Sequence, residues 1–163
     1  MATDINELWN SPLVGAYLLW RFALGYKGYC GRPPNIALAF PALTILSLPK
    51  YSDSIKESFQ TLERWVSHFI ETDHRNVMSD LGNDIRERRE FLLSSLDMAF
   101  TSELVDGWRC PGVLDPALID EKKTGAHAIR FRKDFGVVAG RLGRWFAMVS
   151  PRDVTRILEV KIV

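Results

Sequence analysis

Residues 10–26 read NSPLVGAYLLWRFALGY, and this stretch decides how the rest of the fold must be arranged. Asn10 and Ser11 supply side-chain oxygens that can cap a helix, and Pro12 suits a first helical position. The apolar residues that follow return at helical spacing to the end of the stretch. The sequence therefore predicts a helix over about residues 11–26.

The predicted first helix is apolar on every side. One stripe at steps of three and four is formed by Leu13, Tyr17, Trp20 and Leu24. Other faces carry Val14, Leu18 and Phe22, and Arg21 is the only charged residue in this part of the helix. A small domain rarely covers such a helix alone, so we expect a partner protein to cover part of it.

Glycine and proline residues divide the rest of the chain into segments. The segment Ile36–Leu48 is apolar and is expected to be buried, because it is shorter than the ~20 residues that cross a bilayer. Amphipathic patterns predict further helices from Ser52 or Asp53 to Phe69, over Arg75–Leu81, over Asp84–Glu103 and from Asp134 to about Val149. A short last helix is expected to begin at Ser150 and Pro151.

Two segments have the composition of strands. Leu104–Ile119 contains glycines and prolines and suits short strands joined by turns, and Ala128–Arg132 alternates apolar residues with arginines. The order of the predicted elements is that of a winged helix–turn–helix: a helix, a short helix, a longer helix and then two strands. Asp84–Glu103 takes the position of the third helix. The predicted fold class is mainly α (α+β), a helical domain with a winged-helix-like arrangement and a small β-hairpin.

Length and composition favour one folded domain. The chain has 163 residues, of which 47% are hydrophobic and 25% charged, which is ordinary for a globular protein. We expect a single domain over residues 1–163, with the apolar helix at about 11–26 and a winged-helix-like core at about 52–149.

Charge and cysteine content limit which partners and which cellular compartment the sequence indicates. Lysine and arginine total 21 against 20 acidic residues, so no global field attracts the chain to DNA or to an anionic membrane. Cys30 and Cys110 lie far apart, and no signal-peptide pattern opens the chain. We expect a cytoplasmic protein without a membrane partner.

Motifs for catalysis, metal binding and nucleotide binding are missing from the sequence. The three histidines, His68, His74 and His127, have no metal-ligand spacing, and neither a nucleophile elbow nor a glycine-rich phosphate loop occurs. We therefore expect no enzyme activity, no metal and no cofactor. Carboxylates at helical spacing, Asp80, Asp84 and Glu87, are interpreted as surface charge matched to nearby arginines.

The helix predicted from Asp134 has two distinct faces. One is apolar and carries Phe135, Val138, Ala139, Leu142, Trp145, Phe146 and Val149. We expect Trp145 and Phe146 to face the core, and Arg141 and Arg144 to point outward, where their guanidinium groups suit carboxylates of a protein partner.

Three glycines, Gly136, Gly140 and Gly143, lie on a third side of this helix. Each costs about 1 kcal/mol relative to alanine inside a helix. Two interpretations remain open: another backbone approaches closely here, or the helix begins only near Arg141.

A basic strip runs over Lys122–Arg144, with seven lysines and arginines against one acid, Asp134. Its candidate nucleic-acid contacts are Lys122, Lys123, Arg130, Arg132 and Lys133. In a winged helix this segment is the wing, so weak contact with a DNA backbone is possible.

Several of these segments resemble a known family. They are the stretch from Trp9 to Phe22, Ala37–Lys50 with its Leu-Pro-Lys ending, and Arg141-Leu-Gly-Arg-Trp-Phe-Ala147. In order and spacing they are similar to the middle component of bacterial three-component ABC ATPase (ABC-3C) systems, the Lamassu type of antiphage and antiplasmid defence.

The resemblance implies a subunit without catalysis that joins an SMC/Rad50-like ABC ATPase to an effector, commonly a nuclease. DNA would be reached through the complex. Candidate partner-binding residues are Trp9, Leu13, Tyr17, Trp20, Arg141 and Arg144. Two alternatives remain: a free-standing winged-helix DNA-binding regulator, and a thiol enzyme that uses Cys30 or Cys110.

Overall fold

The structure is a computed structural model that describes residues 10–72, 75–107, 109, 111–119 and 135–159. Within these ranges the helices are α1 Pro12–Cys30, α2 Ala39–Ser47, α3 Pro49–Ser52, α4 Leu62–Glu71, α5 Arg75–Ser79, α6 Leu81–Glu87, α7 Arg89–Thr101, α8 Val137–Ala147 and α9 Pro151–Ile157. Two 3-10 turns cover Ile36–Leu38 and Glu57–Phe59. Strands β1 Val105–Asp106 and β2 Asp115–Pro116 pair antiparallel, Val105 opposite Pro116. The predicted fold class, mainly α with a small β-hairpin, is confirmed.

Helix α1 forms the centre of the fold. It ends at Cys30, beyond the predicted end at Tyr26, where Gly31 adopts φ 77° and donates its N–H to the carbonyl oxygen of Lys27. Such a left-handed glycine commonly ends a helix. Helix α8 packs most extensively on α1, followed by α7, while α2 and β2 add smaller contacts.

The chain itself covers most of α1. Its buried residues are Gly15, Ala16, Leu18, Leu19, Trp20, Phe22, Ala23 and Tyr26. We expected that one small domain could not cover so apolar a helix. For most of the surface of α1 this expectation is wrong. The reason is that α7 and α8 both lie directly against it, which periodicity along one helix does not report.

Glycines set the close approach of the helices. A Cβ at Gly143 would overlap the backbone carbonyl of Phe22, and a Cβ at Gly25 would overlap that of Gly140. A Cβ at Gly15 would overlap the Ser95 hydroxyl of α7. Because α8 already begins at Val137, the close-approach interpretation is confirmed. The other one, a helix beginning near Arg141, is wrong.

The interior is one cluster rich in aromatic rings. Trp65 and Trp145 lie 6.4 Å apart between ring centroids, and Phe22 meets Phe146 edge-on at 5.3 Å. Trp145 and Phe146 are fully buried, as predicted. The segment Ile36–Leu48 contains α2, and its residues are buried from Leu38 to Ser47 with the exception of the half-buried Phe40.

Two predicted helices are shorter than expected. The helix predicted from Ser52 or Asp53 begins only at Leu62, since Gln60 adopts φ 63° and Thr61 accepts a capping hydrogen bond from the Arg64 N–H at 3.2 Å. The helix predicted over Asp84–Glu103 is interrupted at Arg88, between α6 and α7.

The other boundaries lie near their predicted positions, with one exception. The short helix predicted over Arg75–Leu81 ends at Ser79, and Leu81 begins α6. The last helix, α9, begins at Pro151 with Ser150 as its N-cap, as predicted. The strand predicted over Ala128–Arg132 lies outside the described residues. The winged-helix arrangement and the domain division stay predictions.

Candidate partner-binding surface

The candidate partner-binding residues of the first helix have different surroundings. Leu13 is 61% exposed at the start of α1, and Tyr17 is half-buried. Trp20 is only 4% exposed, and its indole N–H donates to the carbonyl oxygen of Ala117 at 2.8 Å. Trp9 lies outside the described residues. Leu13 is thus available to a partner, whereas the Trp20 ring is already packed within this chain.

One side of α1 remains partly uncovered along its length. Residues on it follow steps of four, four, three and four: Leu13, Tyr17, Arg21, Leu24 and Gly28. The three in the middle are half-buried, whereas the two at the ends are exposed. We call this set the α1 stripe. The α1 stripe is apolar at its N-terminal end, and at its C-terminal end it borders a groove.

The groove lies between α1 and α8 and has a volume of about 360 Å³. Its α1 wall is formed by Arg21, Leu24, Gly25, Gly28 and Tyr29. Gly140 and Arg144 form the α8 wall. We call it the α1–α8 groove. The groove is open because Gly25, Gly28 and Gly140, which line it, carry no side chains to fill it.

The two predicted outward arginines of α8 differ. Arg144 is exposed and has neither a hydrogen bond nor an ion pair with any residue that the structure describes. Arg141 is half-buried, and its Nη1 donates to the carbonyl oxygen of Ile55 at 3.2 Å. Its prediction as an outward residue is therefore wrong, because a backbone carbonyl of the same chain already binds it.

The predicted nucleic-acid contacts cannot be placed on this surface. Lys122, Lys123, Arg130, Arg132 and Lys133 all lie outside the described residues. Among the charged residues of the basic strip, the structure describes Arg141 and Arg144 only. Contact with DNA stays a prediction.

A buried polar cluster, which the sequence did not reveal, joins α3 to α6. The Tyr51 side chain is fully buried, and its hydroxyl lies 2.6 Å from Asp84 Oδ2 and 3.0 Å from the Val77 carbonyl oxygen. Lys50 Nζ lies 2.6 Å from the same Asp84 oxygen. Burial raises the pKa of Tyr51, and its hydrogen bond to the Asp84 carboxylate raises it further.

This cluster corrects the interpretation of Asp84 as surface charge. Its partners are a tyrosine and a lysine from α3 rather than arginines of its own helix. The pairing could not be predicted from helical spacing, since Lys50 and Tyr51 lie more than thirty residues before Asp84 in the sequence. With a tyrosine whose raised pKa keeps it protonated and a carboxylate already paired, the cluster is suited to holding two helices together.

The described residues contain no group of three histidine, cysteine or carboxylate side chains placed to hold a metal ion. Cys30 is half-buried, and its Sγ lies 3.4 Å from the Arg32 carbonyl oxygen. Cys110 lies outside the described residues. None of the helices that the structure describes is long and apolar enough to cross a membrane.

A family model described as ABC-three component (ABC-3C) system Middle Component 3 matches residues 2–162. The chain belongs to this family. No curated protein and no solved structure gives a significant match.

The resemblance to the middle component of a three-component ABC system is therefore confirmed. A middle component has partner components in its system, so the exposed surfaces of this chain are candidates for contact with them. The α1 stripe presents the exposed Leu13, and the α1–α8 groove is lined by the exposed Tyr29 and Arg144.

Proposed function

We propose that this middle component is a non-catalytic accessory subunit of a bacterial antiphage and antiplasmid defence complex of the Lamassu type. It would join an SMC/Rad50-like ABC ATPase to an effector such as a nuclease. The observation that carries the proposal is the family match, which extends over residues 2–162 and so accounts for nearly all of the given sequence.

The surface of α1 supports this function. A connecting subunit needs a rigid body with side chains that remain available after folding. The fully buried aromatic cluster supplies the rigid body, since close-packed interiors resist deformation. Leu13 near the N-terminal end of α1 and Tyr29 near its C-terminal end remain exposed, at 61% and 54%. Exposed leucine and tyrosine side chains of this kind are suited to a protein interface.

The experiment is co-expression of the middle component with the products of the adjacent reading frames. We expect the ATPase and the effector to co-purify with each other only when the middle component is present. An ATPase and an effector that associate equally well without it would contradict the proposal. So would a middle component that binds neither of them.

A point substitution locates the contact. Leu13→Glu places a charge on an exposed apolar site, so assembly should weaken while the fold persists. Ile70→Glu is the matched control, because Ile70 is 47% exposed on α4, a different helix. Trp20 is unsuitable, because a charge there would disrupt the packing of α1.

The alternative, a free-standing DNA-binding regulator, depends on the basic strip and is tested with the same protein. It requires that the isolated chain bind a DNA duplex with an affinity that falls steeply as salt rises. If the isolated chain shows no DNA affinity even at low salt, the alternative is excluded.

A further inference from the structure

The helices that border the α1–α8 groove carry basic side chains but no acidic ones. Within Pro12–Cys30 the charged residues are Arg21 and Lys27, and within Val137–Ala147 they are Arg141 and Arg144. This is unusual in a chain with a net charge of only +1. The groove therefore has a local positive field that the composition as a whole conceals.

Two of these four cations bind elsewhere in the chain and do not line the groove. Lys27 pairs with Asp115 of β2 at 2.7 Å, and Arg141 binds the Ile55 carbonyl oxygen. The two that line the groove are Arg21, whose Nε donates to the Gly136 carbonyl oxygen at 3.3 Å, and Arg144. The bond from Arg21 to the start of α8 fixes one guanidinium against the groove wall, and Arg144 is the exposed one.

The shape of the groove suits a segment of polypeptide. Its volume of about 360 Å³ is at the small end of the usual range for binding sites, roughly 300–1,000 Å³. A Cβ built on Gly28 would meet nothing within 4 Å, which shows that the groove has open space at this end. Leu24 and the exposed Tyr29 add apolar surface next to the arginines.

We propose that the α1–α8 groove binds an acidic segment of a partner component. A carboxylate of this segment would accept hydrogen bonds from the Arg144 guanidinium, and an apolar neighbour would pack on Leu24 and Tyr29. Arginine is suited to this because its planar donors match a carboxylate in a two-bond geometry. The inference rests on the proposed function, because the ATPase or the effector supplies the segment.

A protein carboxylate fits the groove better than a nucleic-acid phosphate. Proteins that bind a nucleic-acid backbone neutralise several phosphates along an extended basic surface. Among the residues that the structure describes, two arginines flank a short groove that Leu24 and Tyr29 also line. The next cations along α1 and α8, Lys27 and Arg141, are already bound within the chain. A single acidic side chain with apolar neighbours satisfies this arrangement.

The first test fills the groove without disturbing the fold. Gly28→Gln adds a neutral side chain where a Cβ meets nothing within 4 Å, and Gly82→Gln makes the same change at an equally open site in α6. Each variant is co-expressed with the adjacent components. We expect Gly28→Gln to lose the partner that wild type retains, and Gly82→Gln to retain it.

The second test changes the charge. Arg144→Glu is compared with Arg152→Glu, an exposed arginine in the first turn of α9. Loss of an interfacial arginine–carboxylate pair should weaken binding about tenfold or more, and Arg144→Lys should restore only part of the affinity. Binding of wild type should also weaken as NaCl rises from about 0.1 M to about 0.5 M, because salt screens exposed charges. Circular dichroism confirms that each variant is folded.

The outcomes separate the two proposals. If wild type binds no partner component, both the proposed function and the groove inference are overturned. If wild type binds and both groove variants bind equally well, the groove inference alone is overturned. It is also overturned if a short DNA duplex binds wild type but not Arg144→Glu, since the occupant is then a nucleic acid.

Discussion

At the scale of single residues, the same amino acid has opposite roles along α1 and α8. Gly143 lies where a Cβ would overlap the Phe22 carbonyl, whereas Gly28 faces open space. Glycine at the first position is required by packing. At the second it only increases the flexibility of the unfolded chain, and it leaves the groove open.

Substitution by alanine at these two positions should therefore change stability in opposite directions. Gly143→Ala forces α8 away from α1 and should lower the free energy of unfolding by about 1–3 kcal/mol. Gly28→Ala improves helix propensity at an exposed position and should raise it by about 0.5–1 kcal/mol. Urea denaturation measures both. If Gly143→Ala is as stable as wild type, the two helices are not in the close contact described.

The buried tyrosine of the α3–α6 cluster makes stability depend on pH. Burial raises the pKa of Tyr51 above the value near 10 of an unfolded tyrosine, so the folded protein holds this proton more tightly than the unfolded chain. The resulting stability is fully present below pH ~10 and is lost as pH rises above it. Burial also raises the pKa of Tyr26, which acts in the same direction.

Tyr51→Phe removes this titration together with the hydrogen bond to Asp84. At neutral pH the variant should be about 1–2 kcal/mol less stable, because a buried hydrogen bond is lost. Its stability should then fall less steeply than that of wild type as pH rises above ~10. Thermal unfolding at several pH values measures the two slopes. Equal slopes would show that folding does not raise the pKa of Tyr51.

At the scale of secondary-structure elements, the sequence predicted which segments face the core better than where each helix begins. Phe59 and Leu62 keep helical spacing although Gln60 between them has a left-handed backbone. Apolar periodicity indicates which side chains point toward the core. A tight turn can leave these side chains pointing toward the core although it interrupts the helical hydrogen bonds. The helix predicted over Asp84–Glu103 is likewise interrupted, at Arg88, whose guanidinium lies 4.4 Å from the centroid of the Phe91 ring.

The hairpin is attached to α1 by two contacts of unequal strength. Trp20 Nε1 donates to the Ala117 carbonyl oxygen in a largely buried setting, whereas the Lys27–Asp115 ion pair is 39% exposed on each side. Exposed ion pairs contribute about 0–1 kcal/mol, but loss of a buried hydrogen bond and of packed volume costs more. We therefore expect the Trp20 indole to contribute more than the Lys27–Asp115 ion pair to holding the hairpin against α1.

Trp20→Phe tests this ranking. We expect it to lower the free energy of unfolding by about 1–3 kcal/mol and to increase hydrogen exchange at the Ala117 amide, which bonds to the Leu104 carbonyl oxygen. Lys27→Ala, the control on the same helix, should change stability by less than about 1 kcal/mol. A larger effect of Lys27→Ala would reverse the ranking.

At the scale of the whole molecule, the candidate surface was only partly predictable. The sequence indicated Leu13 as a partner-binding residue and Arg144 as an outward one, and both are exposed. The sequence also indicated Trp20 and Arg141. The Trp20 ring is buried with its indole bound to Ala117, and Arg141 is half-buried with its guanidinium bound to Ile55. Spacing gives the direction of a side chain on its own helix, whereas exposure depends on which distant segment folds over it.

The same long-range contacts determine how the molecule unfolds. Phe22 of α1, Trp65 of α4 and Phe146 of α8 belong to one continuous cluster of buried residues, which also reaches Leu158 after α9. A first helix packed into the shared core cannot melt separately, because its removal would expose the aromatic rings of the other helices. We therefore expect the chain to behave as one cooperative unit, in agreement with the single domain predicted over residues 1–163.

Unfolding followed by two probes tests this expectation. Near-ultraviolet circular dichroism reports the fixed environments of Trp65 and Trp145, both fully buried, and far-ultraviolet circular dichroism reports helix content. The two urea transitions should coincide, since a single core loses its packing and its helices together. If helix content fell in a separate step while the tryptophan signal persisted, α1 or another helix would be an independent unit. The rigid-body role proposed for the middle component would then lose its structural basis.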